Sequence, residues 1–68
     1  MERNIFINWE EVVKEAIKRR KEQKISQEQF SVLIGISKPT INRFERGDYN
    51  ISFKNIAKIL KALNLMEN

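Results

Sequence analysis

The chain of 68 residues contains no cysteine and no histidine, and it has one proline and two glycines. Without cysteine it can form no disulfide, and without either residue it lacks the usual ligands of a zinc site. Asp48 is the only aspartate, and no glycine-rich phosphate-binding loop is present. Because a catalytic site needs several convergent titratable groups in a pocket, we expect no enzymatic activity, no metal and no other cofactor.

Long apolar runs are also missing from the sequence, and none approaches the length that crosses a bilayer. The first residues lack the apolar stretch of a signal peptide, so we expect a cytoplasmic protein. The length predicts one domain over residues 1–68, with residues 1–7 as an N-terminal arm. A domain this small buries a limited core, so we expect a second copy to stabilise it as a homodimer.

Positive charge prevails, with 13 lysines and arginines against 9 acidic residues and a formal net charge of +4. This balance favours a polyanionic partner such as nucleic acid, but only modestly. A dense basic cluster comprises Lys18, Arg19, Arg20, Lys21 and Lys24. It is either a nucleic-acid contact or a set of cations at the negative end of a helix dipole, and we favour the second explanation for most of its members.

The same helix-start pattern occurs four times. Each copy has an isoleucine, then Asn or Ser, then three residues, then an apolar residue; the polar positions are Asn8, Ser26, Ser37 and Ser52. Their side-chain oxygens can accept a backbone N–H in the first helical turn, and the flanking apolar pair can pack across it. Glu11 and Gln29 would complete reciprocal capping boxes in the first two copies. The pattern predicts four helices.

Apolar periodicity gives the same four helices, over residues 9–24, 27–34, 38–46 and 53–63, and no segment has the pattern of a strand. Gly35 and Gly47 are expected to end the second and third helices. The residues predicted to face inward are Trp9, Val12, Val13, Ala16, Ile17, Phe30, Leu33, Ile34, Ile41, Phe44, Ile56, Ile59, Leu60 and Leu63. The fold class is therefore all-α, as a compact bundle of four helices.

Only Gly35, Ile36 and Ser37 separate the second helix from the third. So short a connection forces the two helices to pack as neighbours at a steep angle, which is typical of a helix-turn-helix over residues 27–46. Phe30 and Ile41 are placed to meet inside this angle.

Five stretches of the sequence carry a resemblance to a known family: Gln27-Glu28-Gln29-Phe30-Ser31, Gly35-Ile36-Ser37, Thr40-Ile41-Asn42-Arg43-Phe44-Glu45-Arg46-Gly47, Ile51-Ser52 and Ile59-Leu60-Lys61-Ala62-Leu63-Asn64-Leu65. They resemble the phage-repressor/Cro (XRE-type) helix-turn-helix family. The resemblance covers residues 9–65, nearly the whole chain, and it implies a lambda-repressor-like fold that binds double-stranded DNA. Two departures stand out. Ser31 replaces the usual alanine, and the chain ends where many relatives have a fifth helix that helps dimerisation, so a fifth helix and the dimer interface stay open.

The third helix also predicts a DNA surface from its own residues. With Ile41 and Phe44 inward, its outer face carries side chains that suit base edges: arginine or lysine for guanine, asparagine for adenine, and threonine or proline carbons for a thymine methyl. We expect base contacts from Lys38, Thr40 and Arg43 first, and from Asn42 and Pro39 second. The alternative is an ordinary solvated helix face, which the helix-turn-helix spacing makes less favoured.

Phosphate contacts are expected around that helix. The resemblance implies that Gln27, at the start of the second helix, donates to a phosphate. Further candidates are Ser37 before the third helix and three residues near the loop that follows it, namely Arg46, Asn50 and Lys54. Each can equally be a solvated polar residue. Lys54, Lys58 and Lys61 form an outward stripe that we interpret as a solvated face.

Arg20 differs from the rest of the basic cluster because it falls on the buried face of the first helix, eleven residues after Trp9. Glu45 falls on the inward edge of the third helix. We therefore expect an Arg20–Glu45 ion pair, which the family resemblance also implies. We expect this pair to hold Arg20 near the phosphates, where Arg20 contacts one of them.

Three functions follow from this pattern. The first is a sequence-specific transcription regulator, a repressor, that binds a two-fold symmetric operator as a dimer. The second is a DNA-binding antitoxin or adaptor whose essential surface contacts a toxin partner, since residues 47–65 also resemble such members of the superfamily. The third is an interaction module that has lost DNA binding, against which Gln27, Lys38, Arg43 and Arg46 on one predicted face argue.

Overall fold

A computed structural model describes residues 8–67, and the expected N-terminal arm lies outside them. Four helices follow one another: α1 (Trp9–Glu22), α2 (Gln27–Ile34), α3 (Lys38–Glu45) and α4 (Phe53–Ala62). Their N-caps are the four residues that the repeated pattern predicts, and each side chain accepts the backbone N–H three residues later. These bonds satisfy donors that the first turn of a helix leaves without a partner. The all-α prediction is confirmed.

The two capping boxes expected from the sequence have different outcomes. Ser26 accepts from the Gln29 backbone while the Gln29 side chain accepts from the Ser26 backbone, which completes the box. Asn8 accepts from the Glu11 backbone at 3.3 Å, but the return bond from Asn8 to the Glu11 side chain is not formed.

The core lies where α1, α2, α3 and α4 meet. Its buried apolar side chains are Val13, Ala16, Phe30, Ile36, Ile41, Phe44, Ile59, Leu60 and Leu63. Trp9 packs against this cluster, and its ring meets Phe44 edge to face with centroids 5.5 Å apart. Such a T-shaped pair brings the positive ring edge onto the negative ring face. This contact packs α1 against α3 within the core.

All four helices end in one geometry. Lys24, Gly35, Gly47 and Asn64 have positive φ angles of 60°, 71°, 90° and 60°. The residue after each donates its N–H to a carbonyl five residues back. This is the Schellman closure, which satisfies carbonyls that the last turn leaves over. Because Lys24 and Asn64 are not glycines, the sequence did not indicate these two stops.

Three helix ends therefore come earlier than expected. Residues 23–24 were expected in α1, Arg46 in α3 and Leu63 in α4, but α1 ends at Glu22, and Arg46 and Leu63 are the C-caps. The left-handed residue that follows each cap cannot continue a right-handed helix.

Leu33 was expected to face inward and is 70% exposed, so that prediction is wrong. The helix α2 has eight residues and packs against α3 and α4. Its covered stripe passes through Phe30, which is buried, and Ile34, which is half-buried. Leu33 lies to one side of this stripe, where no helix of the described part of the chain covers it.

No helix within residues 8–67 is long and apolar enough to cross a membrane.

Candidate nucleic-acid interface

The helix α3 has a buried face and an open face. Ile41 and Phe44 are 0% and 1% exposed, so they anchor the helix in the core. Lys38, Pro39 and Arg43 are exposed on the other side, while Thr40 and Asn42 are half-buried beside them. All five residues expected to contact bases therefore belong to one short helix that is fixed from behind.

The N-terminal end of α3 is stabilised locally. The Ser37 backbone oxygen accepts from the Thr40 and Ile41 N–H groups, and its hydroxyl lies 2.8 Å from that of Thr40. The first turn contains no acidic side chain. Lys38 makes no ion pair with any residue in the range 8–67. This end therefore presents a cation, a proline ring and short hydroxyl side chains to the solvent.

A chain of hydrogen bonds connects the core to this surface. Gln27 donates its amide to the Glu45 carboxylate at 2.8 Å, and Asn42 donates to the Gln27 carbonyl at 3.3 Å. Gln27 is half-buried. One amide N–H of Gln27 is thus used within the protein, and the other has no partner among residues 8–67. The expected phosphate contact of Gln27 stays a prediction.

The Arg20–Glu45 pair is present and forms a bidentate contact, with Nε donating at 2.7 Å and Nη2 at 3.0 Å. Arg20 also donates Nη1 to the Ile25 carbonyl at 2.7 Å, and both side chains are 9% exposed. The planar guanidinium fork matches a carboxylate in this way. The pair joins the end of α1 to the end of α3.

This burial argues against the expected phosphate contact of Arg20. Its three nitrogens all have partners inside the protein, and little of the side chain reaches the solvent. Arg20 therefore holds α3 in place.

Arg43 makes a second ion pair on the outer side of α3. Its Nε donates to an Asp48 carboxylate oxygen at 3.0 Å and its Nη2 donates to the Asn50 carbonyl at 2.7 Å. The other Asp48 oxygen accepts the Asn50 backbone N–H at 2.8 Å. The Asn50 N–H bond and then the Arg43 guanidinium lower the pKa of the Asp48 carboxyl below its ordinary value of 3.8. Asp48 is thus a carboxylate at neutral pH.

The residues expected to contact phosphates do not form one cluster. Ser37, Arg46, Asn50 and Lys54 are all exposed, and they are spread from the start of α3 to the first turn of α4. This spread is compatible with a DNA backbone that passes both ends of α3. Lys54, Lys58 and Lys61 are exposed as well. Exposure is common to a solvated face and a binding surface, so the interpretation of this stripe stays a prediction.

The contacts of two residues were not predicted from the sequence. Arg19 pairs with Glu15 and donates to the Leu63 and Asn64 carbonyls, which ties α1 to the end of α4. Asp48 was noted only as the single aspartate, yet it pairs with Arg43. The missed signal is that an acidic residue directly follows the helix-ending Gly47.

Comparison with known proteins agrees with this geometry. A family model described as helix-turn-helix matches residues 17–65, which contain α2, α3, α4 and the turn between α2 and α3. A search of the curated proteins found no match. The match covers most of the chain, and proteins of this family are DNA-binding regulators. The chain belongs to the helix-turn-helix family of the Cro/C1 (XRE-like) type.

Proposed function

We propose that this protein is a sequence-specific transcription regulator, a repressor, that inserts α3 into the major groove of double-stranded DNA. The observation that carries the proposal is the open face of α3, where Lys38, Pro39 and Arg43 are exposed while Ile41 and Phe44 anchor the helix. The major groove is wide enough for a helix and displays a distinct donor and acceptor pattern for each base pair.

The chemistry of this face supports specific contacts. Arg43 and Lys38 carry donors that suit the O6 and N7 acceptors of guanine, and Asn42 carries the amide that suits adenine. Gln27, Ser37, Arg46, Asn50 and Lys54 would contact phosphates and orient the domain on the duplex. The Arg20–Glu45 pair would keep α3 at a constant angle while these contacts form.

We further propose a homodimer on a two-fold symmetric operator. One eight-residue helix reaches only a few base pairs, and a second copy doubles the number of specific contacts. The half-sites should then lie about one helical turn apart, roughly 34–36 Å. A dimer bound at a promoter would occlude that DNA, so we propose repression as the direction of regulation.

Selection of randomised duplexes by the purified protein, with the binding stoichiometry measured alongside, tests this proposal. We expect enrichment of an inverted repeat bound by two copies, with affinity that falls steeply as salt rises because phosphate contacts release counterions. The variant Arg43→Ala, made in parallel, should relax the preference at one base pair of each half-site. Enrichment of no sequence at moderate salt would overturn the proposal.

A DNA-binding antitoxin or adaptor is the second candidate. Val32 and Leu33 on α2 and Phe53 on α4 are exposed although they are large and apolar, and a toxin partner could cover them. The double variant Val32→Ser/Leu33→Ser separates the two functions. If a protein co-purifies with the wild type but not with the double variant, and DNA binding is unchanged, the antitoxin is favoured. If no protein co-purifies with the wild type or with the variant, only the transcription regulator remains as a candidate.

A further inference from the structure

Each helix is followed by one residue with a positive φ angle, and the residue after that one differs in character at one of the four helix ends. Ile25, Ile36 and Leu65 occupy this position after α1, α2 and α4, and each is buried or half-buried. After α3 the same position is Asp48. An apolar side chain at this position frequently accompanies a Schellman closure, and here all three pack in or against the core. An aspartate there has no apolar contact to make.

Asp48 contacts the same residue by an ion pair. Its backbone N–H donates to the Arg43 carbonyl at 3.0 Å, and its carboxylate accepts from the Arg43 side chain at 3.0 Å. The closure therefore fixes Asp48 relative to Arg43 through the backbone. The Trp9 indole adds a second constraint by donating to the Gly47 carbonyl at 2.9 Å.

The donors that Arg43 uses determine which ones remain. A guanidinium has five N–H groups, and the Nε–H together with the neighbouring Nη2–H forms one edge. Asp48 accepts from Nε and the Asn50 carbonyl accepts from Nη2, which are the two nitrogens of this edge. Within residues 8–67, Nη1 donates to no partner, and Nη2 keeps one of its two N–H groups. Nη1 and Nη2 are the nitrogens that supply the end-on pair of parallel N–H groups, and the side chain is 49% exposed.

We propose that Asp48 is a positioning residue for base recognition: it holds the side edge of the Arg43 guanidinium so that the end-on pair of donors is oriented toward a guanine in the major groove. This inference rests on the proposed function. The O6 and N7 atoms of guanine accept two parallel N–H groups from one arginine. A side chain held in advance loses less conformational freedom when it binds, so its contact discriminates more strongly between bases.

The Asp48 carboxylate should also repel the DNA phosphates, and this effect can be distinguished from the positioning of Arg43. Asp48 carries a negative charge on the loop beside the expected phosphate contacts, so its removal should strengthen binding to any DNA. A positioning role predicts that the same removal weakens discrimination at the base pair that Arg43 contacts. The first effect raises both affinities and leaves their ratio unchanged, whereas the second lowers the ratio.

The variant Asp48→Asn separates them. Asparagine keeps a carbonyl oxygen for the Asn50 N–H, so the turn is preserved, but its amide cannot accept from Arg43 as a carboxylate does. Glu67→Gln is the matched control because it makes the same change of charge at an exposed residue beyond the far end of α4. Affinity is measured for two duplexes. The first is the selected duplex, and the second is substituted at the base pair where Arg43→Ala relaxes the sequence preference.

We expect Asp48→Asn to reduce the ratio of these two affinities by about 2- to 5-fold, the coupling typical of an exposed ion pair. Glu67→Gln should leave the ratio unchanged. In the Arg43→Ala background, Asp48→Asn should no longer alter the ratio. In the protein that keeps Arg43, Asp48→Glu should retain part of the discrimination that Asp48→Asn loses. In the free protein, the Arg43 Nε–H should exchange with water faster in Asp48→Asn than in the wild type.

Each other outcome overturns a stated part. If the wild-type protein enriches no duplex, the proposed function fails and this inference falls with it. If it enriches a sequence and Asp48→Asn discriminates as well as Glu67→Gln, the inference alone is wrong. A ratio that rises in Asp48→Asn would mean that Asp48 competes with DNA for Arg43, which also contradicts the positioning role.

Discussion

The two ion pairs of α3 have similar bond lengths and opposite surroundings. Arg20–Glu45 joins α3 to α1 with both side chains 9% exposed, whereas Arg43–Asp48 joins α3 to the following loop with side chains 49% and 37% exposed. Burial removes water that would otherwise solvate the charges, so a buried charge depends on its partner. An exposed pair exchanges its partner for water at little cost. The inner pair, Arg20–Glu45, therefore maintains the fold, and the outer pair, Arg43–Asp48, is available for function.

The largest expected effect breaks the inner pair. Arg20→Ala leaves the Glu45 carboxylate buried without its cation and should lower the free energy of unfolding by about 3–5 kcal/mol. Because a domain this small is marginally stable, the variant should be partly unfolded at room temperature. Lys18→Ala, an exposed position on the same helix, should change it by less than about 0.5 kcal/mol. Equal melting temperatures for the two variants would show that the pair does not support the fold.

The next effect concerns the outer pair and should appear in DNA binding. Arg43→Ala should weaken binding to the selected duplex by about 1–3 kcal/mol, measured by fluorescence anisotropy at one fixed salt concentration. Its urea midpoint should remain close to that of the wild type because the side chain is exposed. A loss of stability as large as that of Arg20→Ala would erase the distinction between the two pairs.

A smaller effect on stability is expected from the hydrogen bond that connects α1 to the turn after α3. The Trp9 indole donates to the Gly47 carbonyl at 2.9 Å, which fixes the turn that carries Asp48. Trp9→Phe keeps an aromatic ring against Phe44 and removes this donor, so it should cost about 1 kcal/mol of unfolding free energy. Chemical denaturation followed by circular dichroism measures the cost. An unchanged midpoint would indicate that water replaces the indole at no cost.

The smallest effect is a titration. The pKa of Asp48 lies below its ordinary value of 3.8, first because of the Asn50 N–H and then because of Arg43. A lowered pKa adds stability that is complete above the ordinary value and is lost as the pH falls through the lower one. Carboxyl carbon shifts measured by NMR should show this midpoint, and Arg43→Ala should raise it without restoring it fully. An unchanged midpoint in Arg43→Ala would mean that the pair is absent in solution.

The starts of the helices could be predicted from the sequence and several of their ends could not. Ser26 and Ser37 bond to backbone groups three residues away, so a local pattern contains the whole interaction. Lys24 and Asn64 adopt left-handed angles without being glycine, because each closure is followed by an apolar residue that packs on the core. Leu33 was misplaced because periodicity does not reveal how wide the covered stripe of a short helix is.

The candidate site divides in the same way. The outer face of α3 follows from helical geometry once Ile41 and Phe44 are inward, so the exposure of Lys38 and Arg43 could be deduced. The Arg20–Glu45 pair was also expected, since both residues lie on inner faces. The hydrogen bonds from Gln27 to Glu45 and from Asn42 to Gln27 were not, because they depend on the angle between α2 and α3.

The sequence by itself determined the number of helices, the position of their starts and the helix that presents a cationic face, because each depends on bonds within one turn or on the helical period. Only the tertiary structure decided the further partners of the two arginines, which are the Ile25 carbonyl for Arg20 and Asp48 with the Asn50 carbonyl for Arg43. Arg20 and Arg43 are chemically identical, and their roles separate through burial and through the partners that packing brings to them. These partners lie on segments that meet only when the helices and turns pack together, so no pattern within one helix contains them.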